Sequence, residues 1–165
     1  MFRLTSLLVA ALMLASTAAA ADTKIGVVDL RQALFSSDAA KAFSDTLKKD
    51  FSADEAKVRD AQEAARKLKE RLEKDGAMMN ESERNKLTGE FQDKVKEFNY
   101  LKQKLDNTVS QRKQEFLDKQ RPEVDAAVKE LLKEHDLDLI LPSEAVVYVK
   151  SEMNLTSELL KKLNK

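Results

Sequence analysis

The chain has 165 residues, of which 35% are charged and 5% aromatic, with three Gly, two Pro, no Trp and no Cys. Lys and Arg balance Asp and Glu at 29 each, so no strong net charge points to nucleic acid, and no disulfide can staple a small core. Such a composition belongs to long solvated helices rather than a compact ball, and the regular apolar spacing described below separates it from a disordered chain.

Residues 1–20 read as a secretory signal peptide. Met1-Phe2-Arg3 is a short basic start, Leu4 to Ala15 is mostly apolar, and Ala18-Ala19-Ala20 supplies a small-residue cleavage site. The apolar run is too short to span a bilayer, which takes roughly 20 residues. Cleavage fits after Ala20 or Ala21, and Ala20 is taken as the boundary.

Lys24 to Asp29 is β-branched and reads as a strand. Leu30 to Phe35 is expected to form a turn of helix, and Ser36-Ser37-Asp38 offers capping side chains for the next one. From Ala39 to Asp75 the residues Phe43, Leu47, Phe51, Val58, Ala61, Ala65, Leu68 and Leu72 share one helical face. Gly76 is expected to end that helix in the left-handed conformation. Asn80 and Glu83 have capping-box spacing and restart the chain.

The second long helix carries Leu87, Phe91, Val95, Phe98, Leu101, Leu105, Val109 and Phe116 on one stripe to about Arg121. Pro122 is expected to kink or interrupt it, with helical spacing resuming from Glu123 to His135. Two such helices, each on the order of 55–60 Å long, joined by a short loop make an antiparallel hairpin. The arm therefore spans 39–135, with its tip near 76–80.

Beyond it, Asp136 to Leu141 alternates acid and apolar residues and reads as a half-buried strand with Asp136 and Asp138 on its wet face. Pro142-Ser143-Glu144 turns the chain into a second β run, Ala145 to Val149. Thr156 is expected to cap a final helix. Residues 21–38 and 136–165 thus form a β-rich head. One strand and one hairpin are too little sheet to stand alone, so self-association through the head is expected. The fold class is mainly α, with a long helical-hairpin arm inserted in a small β body.

Little in the sequence supports an enzyme. His135 is the single histidine and sits at a helix end, so no zinc set and no Ser–His pair is available. Gly26 stands alone rather than in a phosphate-cradling loop. No basic–aromatic pattern suggests nucleic acid. Asn80-Glu81-Ser82 and Asn154-Leu155-Thr156 match a glycosylation sequon but read as helix caps. No catalytic residue, metal ligand or cofactor is expected.

Lys24-Ile25-Gly26-Val27-Val28-Asp29, Asp136-Leu137-Asp138-Leu139-Ile140-Leu141, Ala145-Val146-Val147-Tyr148 and Leu155 to Leu160, taken in order, resemble the Skp (OmpH-like) family of periplasmic chaperones. The resemblance implies a homotrimer whose heads build a shared body and whose arms enclose a cavity. It implies that unfolded outer-membrane β-barrel proteins are held there without ATP, with room for transient contact with a membrane surface. Ile25, Val27, Leu139, Leu141, Val147 and Val149 are then candidates for the trimer head core. Met78 and Met79 at the tip either pack the turn or offer adaptable apolar contact to clients. The arm departs from the strongly basic family pattern: Ala40 to Arg121 holds 20 basic and 17 acidic residues, a net of +3. A lipopolysaccharide-binding basic cluster proposed for some members is not carried over to the region of Lys102, Lys104, Arg112 and Lys113. The alternative reading is a coiled-coil adaptor of the envelope with one fixed partner.

Overall fold

The computed structural model describes residues 23–165; the leader read at 1–20 lies outside the described residues. Strand β1 (Ile25–Val28) leads into helix α1 (Leu30–Ser36), followed by the two long helices α2 (Asp38–Asp75) and α3 (Glu81–Glu134). Strand β2 (Leu139–Pro142), two 3-10 turns and helix α4 (Thr156–Leu163) complete the chain.

The helix starts follow from local chemistry. Asp29 accepts from Gln32 N–H at 2.7 Å and caps α1, and Ser37 Oγ accepts from Ala40 N–H at 3.2 Å and caps α2. At the hairpin tip Asn80 Oδ1 accepts from Glu83 N–H while Glu83 Oε2 accepts from Asn80 N–H, the reciprocal capping box expected from their spacing. Together α2 and α3 form the long antiparallel hairpin. Every residue of both apolar stripes is buried or half-buried, although only Ala61, Ala65 and Leu87 are fully sealed. At 38 and 54 residues the helices measure about 57 and 81 Å, so α3 overshoots its partner and runs into the head.

There α3 contributes Ala127 and Leu131 to a core shared with Val28, Ala33, Leu155 and Leu159. Leu131 and Leu159 are fully buried, each worth about 1.5–3 kcal/mol of apolar burial. The strands pair in parallel, Ile25 with Leu139 through Val28 with Pro142, so the whole hairpin is the crossover between them. On its other edge β1 bridges to Asn154, and Leu155 N–H donates to the Val27 carbonyl at 2.8 Å. β1 is thus the middle of this small assembly, and Val27 and Val28 are buried accordingly.

Four local expectations are corrected. Gly76 is right-handed, at φ −58° and ψ −31°; glycine is required there because a Cβ would run into the Leu72 carbonyl oxygen. The left-handed helix end lies instead at Asp136, φ 50°. Asp136 N–H donates to the Lys133 carbonyl and Leu137 N–H to the Leu132 carbonyl, the paired bonds of a Schellman ending. Pro122 does not interrupt α3. Both it and Asp118, whose carbonyl loses its helical donor, are exposed, so the unpaired carbonyl belongs to a solvent-facing turn, where a missing amide costs least.

The other two corrections concern the head. Residues 145–149 form no strand: 3-10 turns at Ser143–Ala145 and Ser151–Met153 flank them. Pro142 cannot donate to a ladder, and a β-branched run needs a pleated, half-buried surface to lie on, which the single chain does not provide here. Thr156 does not cap α4. Asn154 Oδ1 instead accepts from Thr156 N–H, while Thr156 Oγ1 accepts from Asp29 N–H at 2.9 Å.

Candidate functional site

Many charged groups are tied to one another at the surface, and two sets of these ties lie in the head. Lys24 Nζ donates to Asp136 Oδ2 at 2.7 Å, and Asp138 Oδ2 accepts from the Lys24 backbone N–H at 2.8 Å. Both acids are exposed, as read from the sequence, but they precede β2 and anchor the start of β1. The hydrogen bond from Lys24, reinforced by its charge, holds the Asp136 carboxyl below its ordinary value, and Lys24 is raised in return. Lys162 on α4, its side chain only 8% exposed, bridges Glu130 and Glu134 on α3 at 3.1 and 2.7 Å. That hydrogen bond lowers Glu134 and raises Lys162. His135 Nε2 lies 2.7 Å from Glu158 Oε2, a second link between the same helices. These contacts fasten the head. Among the described residues no cluster of three or more His, Cys, Asp or Glu side chains could hold a metal ion.

Contact chemistry is offered by apolar surface in three places. At the tip Met78 is 82% exposed while Met79 is half-buried against the turn. At the arm root Phe43 of α2 stacks on Phe116 of α3, centroids 4.4 Å apart and planes within 10°, with open hollows on both sides. Between α1 and α3 lies a groove of about 420 Å³, floored by Val28 and Ile140 and walled by Leu30, Leu34, Leu117 and Val124.

The candidate head residues separate into two sets. Val27 is fully inside its own chain, and Ile25, Leu139 and Val149 are half-buried. Leu141 is partly exposed on β2, and Val147 is fully exposed beside an exposed Tyr148. The structure therefore does not gather the six into one cluster within a single chain. Sequence reading missed the arm-root groove. Its signal was present in Leu117, Arg121, Val124 and Val128, which keep helical spacing on a face other than the one Phe116 presents to α2.

A small packed head, a long charged hairpin and apolar surface spread over several open places define a helical-armed protein with no single deep pocket among the described residues. The chain belongs to the OmpH-like family: the model described as "Outer membrane protein (OmpH-like)" matches residues 24–163. It is 29% identical over 157 residues to the "Skp-like protein" of Pseudomonas aeruginosa, covering 95% of this chain and 94% of that one. It is 27% identical over 153 residues to the "Chaperone protein Skp" of Photorhabdus luminescens, covering 93% and 92%. The crystal structure of an outer-membrane chaperone described as OmpH-like, from Caulobacter crescentus CB15, shares the fold at a TM-score of 0.62 and 17% identity, over 86% of this chain and 84% of that chain. The family is one of chaperones rather than enzymes.

Proposed function

We propose that this protein is an ATP-independent holdase of the periplasm that binds unfolded outer-membrane β-barrel proteins and keeps them from aggregating on their way to the outer membrane. It acts as a homotrimer joined through the heads, with the arms around the client and in transient contact with the membrane surface. The observation that carries this reading is the seam of the arm. Thirteen of the sixteen stripe side chains on α2 and α3 remain partly accessible, so the hairpin offers a long line of weak apolar contacts instead of one deep pocket. An unfolded chain of varied sequence is held better by many adaptable contacts than by one fitted site. Met78 and Met79 extend that line to the tip.

The test is selectivity for the unfolded state. Several unrelated urea-denatured outer-membrane proteins are diluted into the protein, and soluble complexes are counted by size-exclusion chromatography. Stable complexes with all of them, and none with their folded forms, are expected. Binding to a single folded envelope protein and to no denatured one would establish the fixed-partner adaptor instead.

A further inference from the structure

Among the described residues three buried side chains are polar: Ser37, Thr156 and Gln120. The Ser37 hydroxyl donates to the Leu34 carbonyl and accepts from Ala40 N–H, and the Thr156 hydroxyl accepts from Asp29 N–H. Gln120 has no such partner. It is only 6% exposed, yet its amide makes no hydrogen bond to another group among the described residues. The amides of Gln111 and Gln114 on the same helix, by contrast, donate to Glu115 and Asp118. No fully sealed side-chain nitrogen or oxygen there lacks a partner, so the Gln120 amide keeps a path to open space. That path is the hollow of about 360 Å³ beside the Phe43–Phe116 stack, which Gln120 lines together with Ala39, Thr46 and Leu47.

The hollow sets polar groups against an apolar lining. Thr46 gives its hydroxyl proton to the Ala42 carbonyl and keeps only acceptor capacity. Two acids, Asp50 and Glu115, and two bases, Arg112 and Lys119, complete the rim. Arg112 lies 3.6 Å from Asp50 and 3.7 Å from Glu115. A rim so balanced selects neither an anion nor a cation. The fitting occupant is neutral, carries both a donor and an acceptor for Gln120, and has something apolar beside them for the two rings.

We infer that the hollow takes one residue of an extended, unpaired polypeptide, with the Gln120 amide accepting from its backbone N–H and donating to its backbone C=O. An apolar side chain beside that residue lies on Phe43 and Phe116. Opposite residues of an antiparallel pair exchange two such bonds because an extended residue presents both groups on one edge. A primary amide carries an acceptor oxygen and two N–H donors, so Gln120 can stand in for the second strand. This rests on the holdase reading and gives it a means of telling unfolded clients from folded ones. The backbone groups of a folded β-barrel are already paired with one another, whereas in an unfolded chain every residue except Pro offers both. Side-chain identity enters only through the apolar contact, so one site serves clients of unrelated sequence.

The folded protein, isotopically labelled at its glutamine side-chain nitrogens, is titrated in an NMR experiment with two probes. One is a short peptide of alternating Tyr and Thr; the other is the same peptide methylated at every backbone nitrogen. The first should shift the Gln120 amide signals and the second should not. Gln120→Met keeps the side-chain length and removes both hydrogen-bonding groups. It should weaken the first peptide about threefold to tenfold and bring the two peptides to the same affinity. The labelled, unsubstituted chain decides the matter alone if Gln120→Met does not fold. Equal binding of both peptides by that chain, with the Gln120 signals unmoved, overturns the site; the holdase reading survives if a denatured β-barrel protein is still kept soluble. Gln120 signals that move with the peptide while client aggregation goes unchecked keep the site and overturn the holdase reading. Signals that move with protein concentration alone, and not with peptide, overturn the inference and assign the hollow to a contact between copies.

Discussion

Thr156 joins the two ends of the chain. Its hydroxyl accepts the Asp29 amide that opens α1, across 127 positions of sequence. Replacing Thr156 with Val keeps the shape and removes the acceptor. The partly buried amide is then left unsatisfied, a loss of about 1–3 kcal/mol in the denaturant midpoint. Gly26→Ala belongs to the same scale. Its Cβ would come within 2.8 Å of Leu137 Cδ1 and 2.9 Å of Leu155 Cδ1, so overpacking of about 1–3 kcal/mol is expected in the same measurement. The capping box at Asn80 and Glu83 was legible because its partners lie three residues apart. The Thr156–Asp29 bond was not, because local spacing carries no information about it. Asp136, read as part of a strand, instead ends α3 in the left-handed conformation, and its side chain ties to Lys24 at the far end of the chain, a partner that spacing does not reveal.

Charge at the residue scale also sets a pH dependence. Asp136 and Glu134 lie below their ordinary values of 3.8 and 4.5 when folded. The stability they contribute is therefore present above those values and is lost as pH falls through the lowered folded ones. Lys24 and Lys162 are raised above 10.5, so their contribution is present below that value and is lost only as pH rises past it. The head melting temperature should be flat between these limits and fall in acid. Asp136→Asn should make the acid limb shallower; an unchanged limb would show that the Lys24 tie contributes nothing.

At the scale of elements the two long helices and the capping box between them were readable, since helical period, capping and length all act locally, whereas the helix end at Gly76 and the unbroken course past Pro122 were not. Strand pairing was also less readable. The run at 145–149 has strand propensity but no surface within the single chain to lie on, whereas β2 finds β1 through a crossover of more than a hundred residues. The hairpin and head should also differ in stability. Arm helices bury one stripe and expose most of their backbone, while β1, α4 and the last turns of α3 enclose a common core. Hydrogen exchange should be fast from Leu68 to Leu87 and slow around Val27, Leu131 and Leu159. Phe43→Ala removes a half-buried stacked ring, costing about 2 kcal/mol. It should speed exchange in the arm root far more than in the head; equal acceleration in both would mean that the two unfold as one.

At the scale of the whole molecule, charge distribution bears on how clients would be held under the proposed holdase function. The arm's net of +3 is distributed over many local i,i+3 and i,i+4 pairs, among them Arg66 with Glu63 and Glu70. Attraction between exposed charges is screened within ~8–10 Å at physiological salt, whereas apolar burial is not weakened by it. Affinity for a denatured β-barrel protein should therefore change little from low to high sodium chloride, and less than for a relative with a strongly basic arm. An equally steep loss in both would point to a concentrated basic patch. The head, by contrast, leaves Val147, Tyr148 and the outer edge of β2 uncovered in one copy, so assembly and folding of this region should be linked. If the proposed trimer forms through this surface, Val147→Asp should lower its fraction in sedimentation equilibrium without unfolding the hairpin, because a charge would enter an apolar contact at a cost of several kcal/mol.

The holdase reading is tested most directly by light scattering after a urea-denatured outer-membrane β-barrel protein is diluted into buffer with no nucleotide present. With this protein added at three chains per client, scattering should stay near baseline, and the client should remain able to fold when detergent is supplied. Scattering that rises as fast as in the client alone, with the protein shown to be folded and assembled, would contradict the account.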